Sequence, residues 1–513
     1  MATPNEKLAE SLELLKTLQD NGTVAIRSNE LSRTHKDRLL KAGFIKEVFK
    51  GWYVYMPPDA VAGDSTPWYT NYWDFCRQYL DERLGEWCVA PEQSLLLHAG
   101  NSAIPKQLMV RSPQGNNRPL ELPFDTSVFL MRLELPPAEE RSEIKGIPVY
   151  SLEASIVRSS PSVFTQNPID ARTALSLVRD ASGILAITLA GGHSVVAGRM
   201  AGAFRNIGNT RIADDIVDAM TRAGYDTRES DPFEVKLPLP MSWRVRSAYE
   251  ARIALMWQEM RAKVLPYFPA APGLPADVAG YMKVVDEVYV TDAYHSLSIE
   301  KYKVTPDLIE RVRDGKWDPT NESDKKQQEA LAAKGYLDAF ESVKVSIEKI
   351  LGGANAGQVV DREHGDWYRQ MFGPSVTAGI IPASDLAGYR NGDVFISRSM
   401  HTPPDKSSVR DAMPVLFRLI EEETEASVRA VLGHFIFVFI HPYMDGNGRM
   451  GRFLMNAMLA SGGYPWTVIP VQRRDDYMHA LEEASVRQNI EPFAEFIGYL
   501  VGEGMKVTQV ANI

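Results

Sequence analysis

The residues of this chain best equipped for chemistry stand within twelve positions, His441-Pro442-Tyr443-Met444-Asp445-Gly446-Asn447-Gly448-Arg449-Met450-Gly451-Arg452. Gly446 and Gly448 let successive backbone N–H groups turn toward one point, which makes an anion-binding nest. Phe453, Leu454, Ala457 and Met458 follow at helical spacing. A helix therefore starts just after the turn and aims its free N–H groups and positive dipole end at the same point. Arg449 and Arg452, at i and i+3, share a face of that helix, and each can grip phosphate oxygens bidentately. Asp445 offers a hard oxygen ligand for Mg²⁺, and His441 can accept a proton near neutral pH. A lone histidine at a helix end is usually structural, and a lone Gly-Asn-Gly is usually a turn. Their coincidence with two arginines and a carboxylate reads as a phosphoryl-transfer site.

Such a loop needs a rigid frame, and the C-terminal half supplies helices for it. Helices are expected at about Trp243 to Val264, Ala276 to Asp292, Thr305 to Arg313, Ser323 to Ile350 and Lys406 to Glu423. Gly352-Gly353 and Gly462-Gly463 read as helix stops. The run before the loop, His434 to Ile440, reads as a strand by composition. Asp226 to Pro240, charged and proline-rich, reads as a linker.

The twelve-residue segment resembles the signature of the Fic family, His-x-Phe-x-Asp/Glu-Gly-Asn-Gly-Arg-x-x-Arg, at every position except Tyr443, which stands for phenylalanine. Further family features follow the same order. Tyr389-Arg390-Asn391-Gly392, Asp393 to Ser397 and His401-Thr402-Pro403-Pro404 resemble its flap hairpin. Gly463-Tyr464-Pro465, Arg474 to Leu481 and Glu491-Pro492-Phe493 also match, and the resemblance covers roughly Ala276 to Leu500. It implies a buried helix, not a strand, at His434 to Ile440. It implies transfer of AMP from ATP to a Ser, Thr or Tyr hydroxyl of a protein, self-modification included, with pyrophosphate leaving. His441 would be the base and Asp445 the Mg²⁺ ligand. Gly446, Asn447 and Gly448 would cradle the α- and β-phosphates, Arg449 would steady them, and Arg452 would take the γ-phosphate. Ile396 and Tyr477 would border the nucleotide, although Ser485 stands where the family often has asparagine. The flap, at about 389–401, would hold an extended target segment by edge-strand pairing. Ser296-Leu297-Ser298-Ile299-Glu300 resembles the family's inhibitory pattern, with Lys301 in place of the closing Gly or Asn. Removal of AMP at the same site, with Glu300 orienting water, is the alternative within enzymology. A DNA-binding regulator or antitoxin whose Fic domain senses nucleotide is the alternative outside it.

Ahead of these helices lies a different pattern. Leu8, Leu12 and Leu15 mark one helix, about Ser28 to Ala42 a second, and Phe44 to Tyr55 a hairpin turning at Lys50-Gly51. That is the outline of a winged helix over residues 1–60. Lys and Arg at 27, 33, 36, 38, 41, 46 and 50 face acids at 30, 37 and 47, so DNA contact through residues 27–50 is one reading and a solvated face the other. Leu95 to Val110, following the wing, resembles the abortive-infection type of antitoxin, which implies a compact α/β domain over 65–230. Gly191-Gly192-His193 and Gly198 lack the rest of a phosphate loop and read as close packing on small residues. The expected architecture is mainly α. A helical Fic domain with a β-hairpin flap fills 241–513, its inhibitory helix at about 276–300 and its catalytic core at about 365–500.

At 513 residues the chain exceeds one hydrophobic core, and two to four domains are expected. A net charge of −10 argues against a wholly nucleic-acid-coating protein. Two cysteines, Cys76 and Cys88, cannot form a disulfide framework, and no apolar run approaches the roughly 20 residues that cross a bilayer. The expected location is the cytoplasm, with no membrane partner and with oligomers possible.

Overall fold

A computed structural model describes residues 3–57, 64–236, 247–317, 327–506 and 511. The chain divides into two compact units. One comprises Met1–Ala248 with Phe395–Thr402, and the other Tyr249–Val394 with Pro403–Ile513.

The first unit opens with a helix, Pro4–Asp20, closed at its N-terminus by a Thr3/Glu6 capping box. A second helix, Arg33–Lys41, is capped by Ser32 and is shorter than the expected Ser28 to Ala42. The hairpin Ile45–Phe49 with Trp52–Tyr55 forms as expected, and Ile26–Arg27 adds a third strand beside Trp52–Tyr55. Leu15, Ile26, Leu39, Ile45 and Tyr53 bury one side of this layer. Phe49 and Trp52, on the other side, meet Tyr79 edge-on at 5.2 and 5.0 Å, so the hairpin shares a core with the Thr66–Leu84 helix. A four-stranded sheet follows, with Gln107–Ser112 and Thr126–Arg132 as its central parallel pair, then helices from Leu152 to Arg222. Cys76 and Cys88 are buried free thiols, and burial pushes both up to about 12, which leaves them unreactive.

The small residues expected to pack closely do so on the Ser194–Asn206 helix. A Cβ on Gly198 would lie 2.0 Å from the Arg228 carbonyl oxygen, and one on Gly202 2.1 Å from that of Ser230. The stretch 226–236 is therefore no loose linker: Ser230 N–H donates to Gly198 O, and Phe233 is buried beneath the Arg172 guanidinium. Residues 237–240 of the expected linker, and 243–246 and 323–326 of two expected helices, lie outside the described residues. Gly202→Val should cost about 2–3 kcal/mol of stability through overpacking against backbone that cannot yield. Urea unfolding followed by the unit's tryptophans checks this, and an unchanged midpoint would remove the packing account.

The second unit is helical, and among the described residues it contains no strand. Its centre is Ala426–Ile440, apolar on every side and buried except at Arg429. The composition of His434 to Ile440 had pointed to a strand. Helix wins because the whole segment is wrapped by other helices, and propensity differences are a few tenths of a kcal/mol per residue. Around it stand Val278–Ile299, Gln327–Leu351, Ala356–Thr377, Lys406–Glu422, Asn447–Ala460, Arg474–Arg487 and Glu491–Met505. Gly353 and Gly463, at φ 97° and 76°, end helices as expected.

One expectation needs correction. Residues 389–401 form turns, with no β-ladder, so the flap is not a hairpin. The Arg390 N–H, which a ladder would need, donates instead to Pro442 O at 2.9 Å. Beyond Val394, Ser399 N–H closes back onto Ile396 O, a turn too tight for paired strands. No single helix among the described residues is long and apolar enough to cross a membrane.

Candidate active site

His441 ends the central helix with φ 54°, in the left-handed region. For a residue with a Cβ that conformation costs about 1–2 kcal/mol, so its surroundings must hold it there. Its N–H donates to Phe437 O, and its Nδ1 lies 3.2 Å from Val438 O. A carbonyl can only accept, so the proton of the neutral ring sits on Nδ1 and the Nε2 lone pair is left for chemistry. Burial draws the imidazole down to about 4; the Arg390 guanidinium adds to this, while the Val438 bond, Glu300 and Asp445 oppose it. His441 is thus neutral, and able to accept a proton, across the physiological range.

The turn after it brings the nest into being. Gly446, at φ 79°, caps Asn447–Ala460, and a Cβ there would stand 2.7 Å from the Phe372 ring. A Cβ on Gly448 would stand 2.4 Å from Glu300 Oε1, so the Glu300 carboxylate already lies against the helix N-terminus. An anion sits where the dipole and the free N–H groups favour one. Asn447 accepts from Tyr443 N–H and donates to Tyr443 O with its side chain, both at 2.9 Å. It closes the loop, and only its backbone N–H is left to face an anion. Asp445 caps Gly446 N–H at 2.6 Å, yet its side chain is 68% exposed and can still take a cation.

The two arginines are buried beside this nest. Arg449 lies about 5 Å above the Phe372 and Tyr302 rings, reaches Asp445 at 3.3 Å, and keeps a buried Nε with no hydrogen-bond partner among the described residues. Arg452 donates through Nε to Ser296 Oγ at 2.9 Å, and through Nη2 to Ser296 O at 3.0 Å and Glu300 Oε1 at 2.8 Å. Its Nη1 is likewise buried without a hydrogen-bond partner. Burial alone would raise the Glu300 carboxyl, but Arg452 and Arg449 outweigh it and hold the group below its usual range. Ser296 comes from Val278–Ile299, which starts at the Asp277 cap as the expected helix does, and Glu300 is its C-terminal cap. Lys301 follows at φ 69°, adopting against its Cβ the geometry that Gly or Asn takes easily. Arg474 Nε donates to Ile299 O at 2.8 Å and fixes that helix end from another side.

Tyr477 is 1% exposed, lies 2.8 Å from His434 Nε2 among Phe493 and Phe496, and has Arg452 beside it, which opposes the rise that burial gives its phenol. Ile396 falls in Phe395–Thr402, which packs with the first unit through Ile104 N–H to Met400 O and Arg398 N–H to Thr66 Oγ1. Three residues given no role from sequence do meet the site: Tyr302 and Phe372 beneath Arg449, and Arg390 behind His441. No spacing links them to the motif, since their neighbours come from other helices.

Comparison with known proteins places this geometry. A family model described as Fic/DOC family matches residues 366–459. The chain is 27% identical over 220 residues to "Protein adenylyltransferase Fic" of Drosophila yakuba and to that of Drosophila melanogaster, covering 41% of this chain and 40% of each relative. It thus spans about two fifths of the length of the curated relatives it matches. Among solved structures, Fic-1 (aa134 - 508) from C. elegans is similar at 16% identity and TM-score 0.37, over 70% of this chain and 97% of that one. A Fic domain containing signaling protein from Bacteroides thetaiotaomicron is similar at 17% identity and TM-score 0.34, over 49% and 95%. The family match falls on the stretch that holds the motif, and the chain carries a Fic domain at residues 366–459.

Proposed function

We propose that this protein is an adenylyltransferase that moves AMP from ATP to a Ser, Thr or Tyr hydroxyl of a protein, and that Glu300 restrains it. The observation that carries this is the gathering of a neutral His441 with Nε2 open, a helix-terminal nest and two buried arginines with unpartnered nitrogens. In the reaction His441 Nε2 takes the hydroxyl proton, the freed oxygen bonds to the α-phosphorus, and the bond to pyrophosphate breaks. The nest and Arg449 hold the α- and β-phosphates, and Arg452 receives the γ-phosphate once Glu300 withdraws. Asp445 is the residue that would hold Mg²⁺. A single exposed carboxylate suits an ion that completes its shell with phosphates and water and neutralises charge on the leaving group. The target segment is assigned to the cleft of about 690 Å³ beside the catalytic loop, lined by His364, Asp385, Tyr389, Arg410, Tyr443 and Met444. Incubation of the protein with Mg²⁺ and ATP labelled on the α-phosphate is the test. Label on protein supports transfer, and its absence even after Glu300→Gly refutes it.

DNA contact through a winged helix at 1–60 is a second proposal, favoured by Arg33, Lys41, Lys46 and Lys50, exposed on the helix and hairpin. Arg27 and Arg38 are engaged instead, with Glu82 and Glu30 and with Lys7 O. Duplex affinity should fall steeply with salt, and reversing Arg33, Lys41 and Lys50 to Glu should remove binding in 50 mM salt. Failure to shift any duplex at low salt, including the protein's own promoter, ends this reading.

A further inference from the structure

We infer that Arg390 is the positioning residue for the catalytic base, a role that rests on the transferase reading above. Arg390 is 2% exposed, and its fork is engaged entirely with backbone. Nε donates to the His441 carbonyl at 2.8 Å, Nη1 to Gly392 O at 3.0 Å, and Nη2 to Pro404 O. Its own N–H donates to Pro442 O at 2.9 Å. Two consecutive carbonyls of the catalytic loop, one of them on His441 itself, are therefore tied to a single residue from a different segment. His441 needs such a tie, because its left-handed backbone is one that a β-substituted residue leaves when free to do so. The Nδ1 bond to Val438 orients the ring about its side-chain torsions, whereas the Arg390 bonds fix the peptide planes that carry the ring.

The same contacts turn Nε, Nη1 and Nη2 of Arg390 each toward a carbonyl, so its guanidinium serves the backbone of the loop although the residue borders the cleft. Lysine cannot substitute fully, since one ammonium does not span three acceptors in a plane. The charge matters as well as the fork. Among the charged groups that act most on His441, Arg390 favours its neutral form, while Glu300 and Asp445 oppose it.

The experiment compares wild type, Arg390→Met and Arg390→Lys in the full chain carrying Glu300→Gly, so that transfer is measurable. Steady-state kinetics with ATP and the protein's own acceptor are paired with ¹⁵N-histidine NMR titration of His441. Arg390→Met should lower kcat by about 10²-fold, the scale of a misplacement of about 1 Å, with KM for ATP within about twofold of the parent. Its His441 should titrate at higher pH than the parent's, and Arg390→Lys should recover the titration and part of the rate. A kcat within threefold of the parent overturns the inference. So does a loss shared equally by kcat and ATP affinity with the His441 titration unmoved, which marks a merely structural arginine. If Arg390→Met does not fold, Arg390→Lys decides: lowered kcat at unchanged KM supports the role, and unchanged kcat overturns it. If the parent itself transfers no AMP, the transferase reading fails separately. The titration then stands alone, and an unmoved His441 in Arg390→Met overturns the tie.

Discussion

His441→Ala should lower AMP transfer by about 10²–10⁴-fold while leaving ATP affinity within about twofold. A positioned general base contributes on that scale, roughly 3–5 kcal/mol of barrier. The structure separates the two effects. His441 accepts its proton through Nε2, whereas the anion site is built by Gly446, Gly448, Arg449 and Arg452, none of which the substitution touches. Burial has already drawn the imidazole down to about 4, so the base form persists well below neutral pH. On the free enzyme, the acid limb of kcat/KM should therefore fall nearer pH 4 than the 6.5 of an ordinary histidine. Single-turnover kinetics with labelled ATP and calorimetric ATP binding check the pair. A variant that keeps wild-type turnover, or loses ATP binding in the same proportion as rate, removes His441 from the mechanism.

How much of this site could be read from sequence depends on whether its residues share one element. His441, Asp445, Gly446, Gly448, Arg449 and Arg452 do, and a helix N-terminus preceded by a glycine turn dictates where they point. Ser296 and Glu300 were picked out by the family resemblance alone, and the structure brings both to Arg452. The bonds of the Asn447 side chain to Tyr443 were not legible, because a side-chain amide can serve ligand and loop equally well by type. The hairpin flap was implied by the family resemblance alone, and Arg390 diverts the backbone to Pro442 instead. Arg390 went without a role because its acceptors are carbonyls, and carbonyls carry no sequence signal. In the first unit, periodicity found the first two helices and the hairpin, while the boundary of the supposed linker failed. Proline and charge mark exposed chain in general, yet here Gly198 and Gly202 offer a groove narrow enough to seat it.

Glu300→Gly should raise self-adenylylation by at least about tenfold, a barrier change of roughly 1.4 kcal/mol. The argument is one of occupancy. Arg452 is a buried cation of the site, and in this structure Nη2 is taken by Glu300 Oε1 at 2.8 Å, while the same oxygen lies against Gly448. A γ-phosphate seeking Arg452 would meet a carboxylate of its own sign. ATP could still lodge in the nest, but with its phosphates displaced, and the α-phosphorus would sit out of line with the incoming hydroxyl. Inhibition then falls on kcat far more than on ATP affinity. The carboxylate is a strong competitor because Arg452 and Arg449 hold it ionised despite burial. Arg474 holds the helix end that delivers it. The backbone at Lys301 works the other way. Its left-handed geometry is one that lysine adopts only at a cost, so the inhibitory end of this helix is less secure than a glycine there would make it. Arg452→Ala should not be rescued by Glu300→Gly, because the γ-phosphate loses its partner in both. Label incorporation from ATP marked on the α-phosphate, compared across the single and double variants, measures all of this. An unchanged or lower rate in Glu300→Gly refutes restraint by Glu300. Loss of AMP removal from a pre-modified substrate in the same variant would instead assign Glu300 to orienting water for the reverse task.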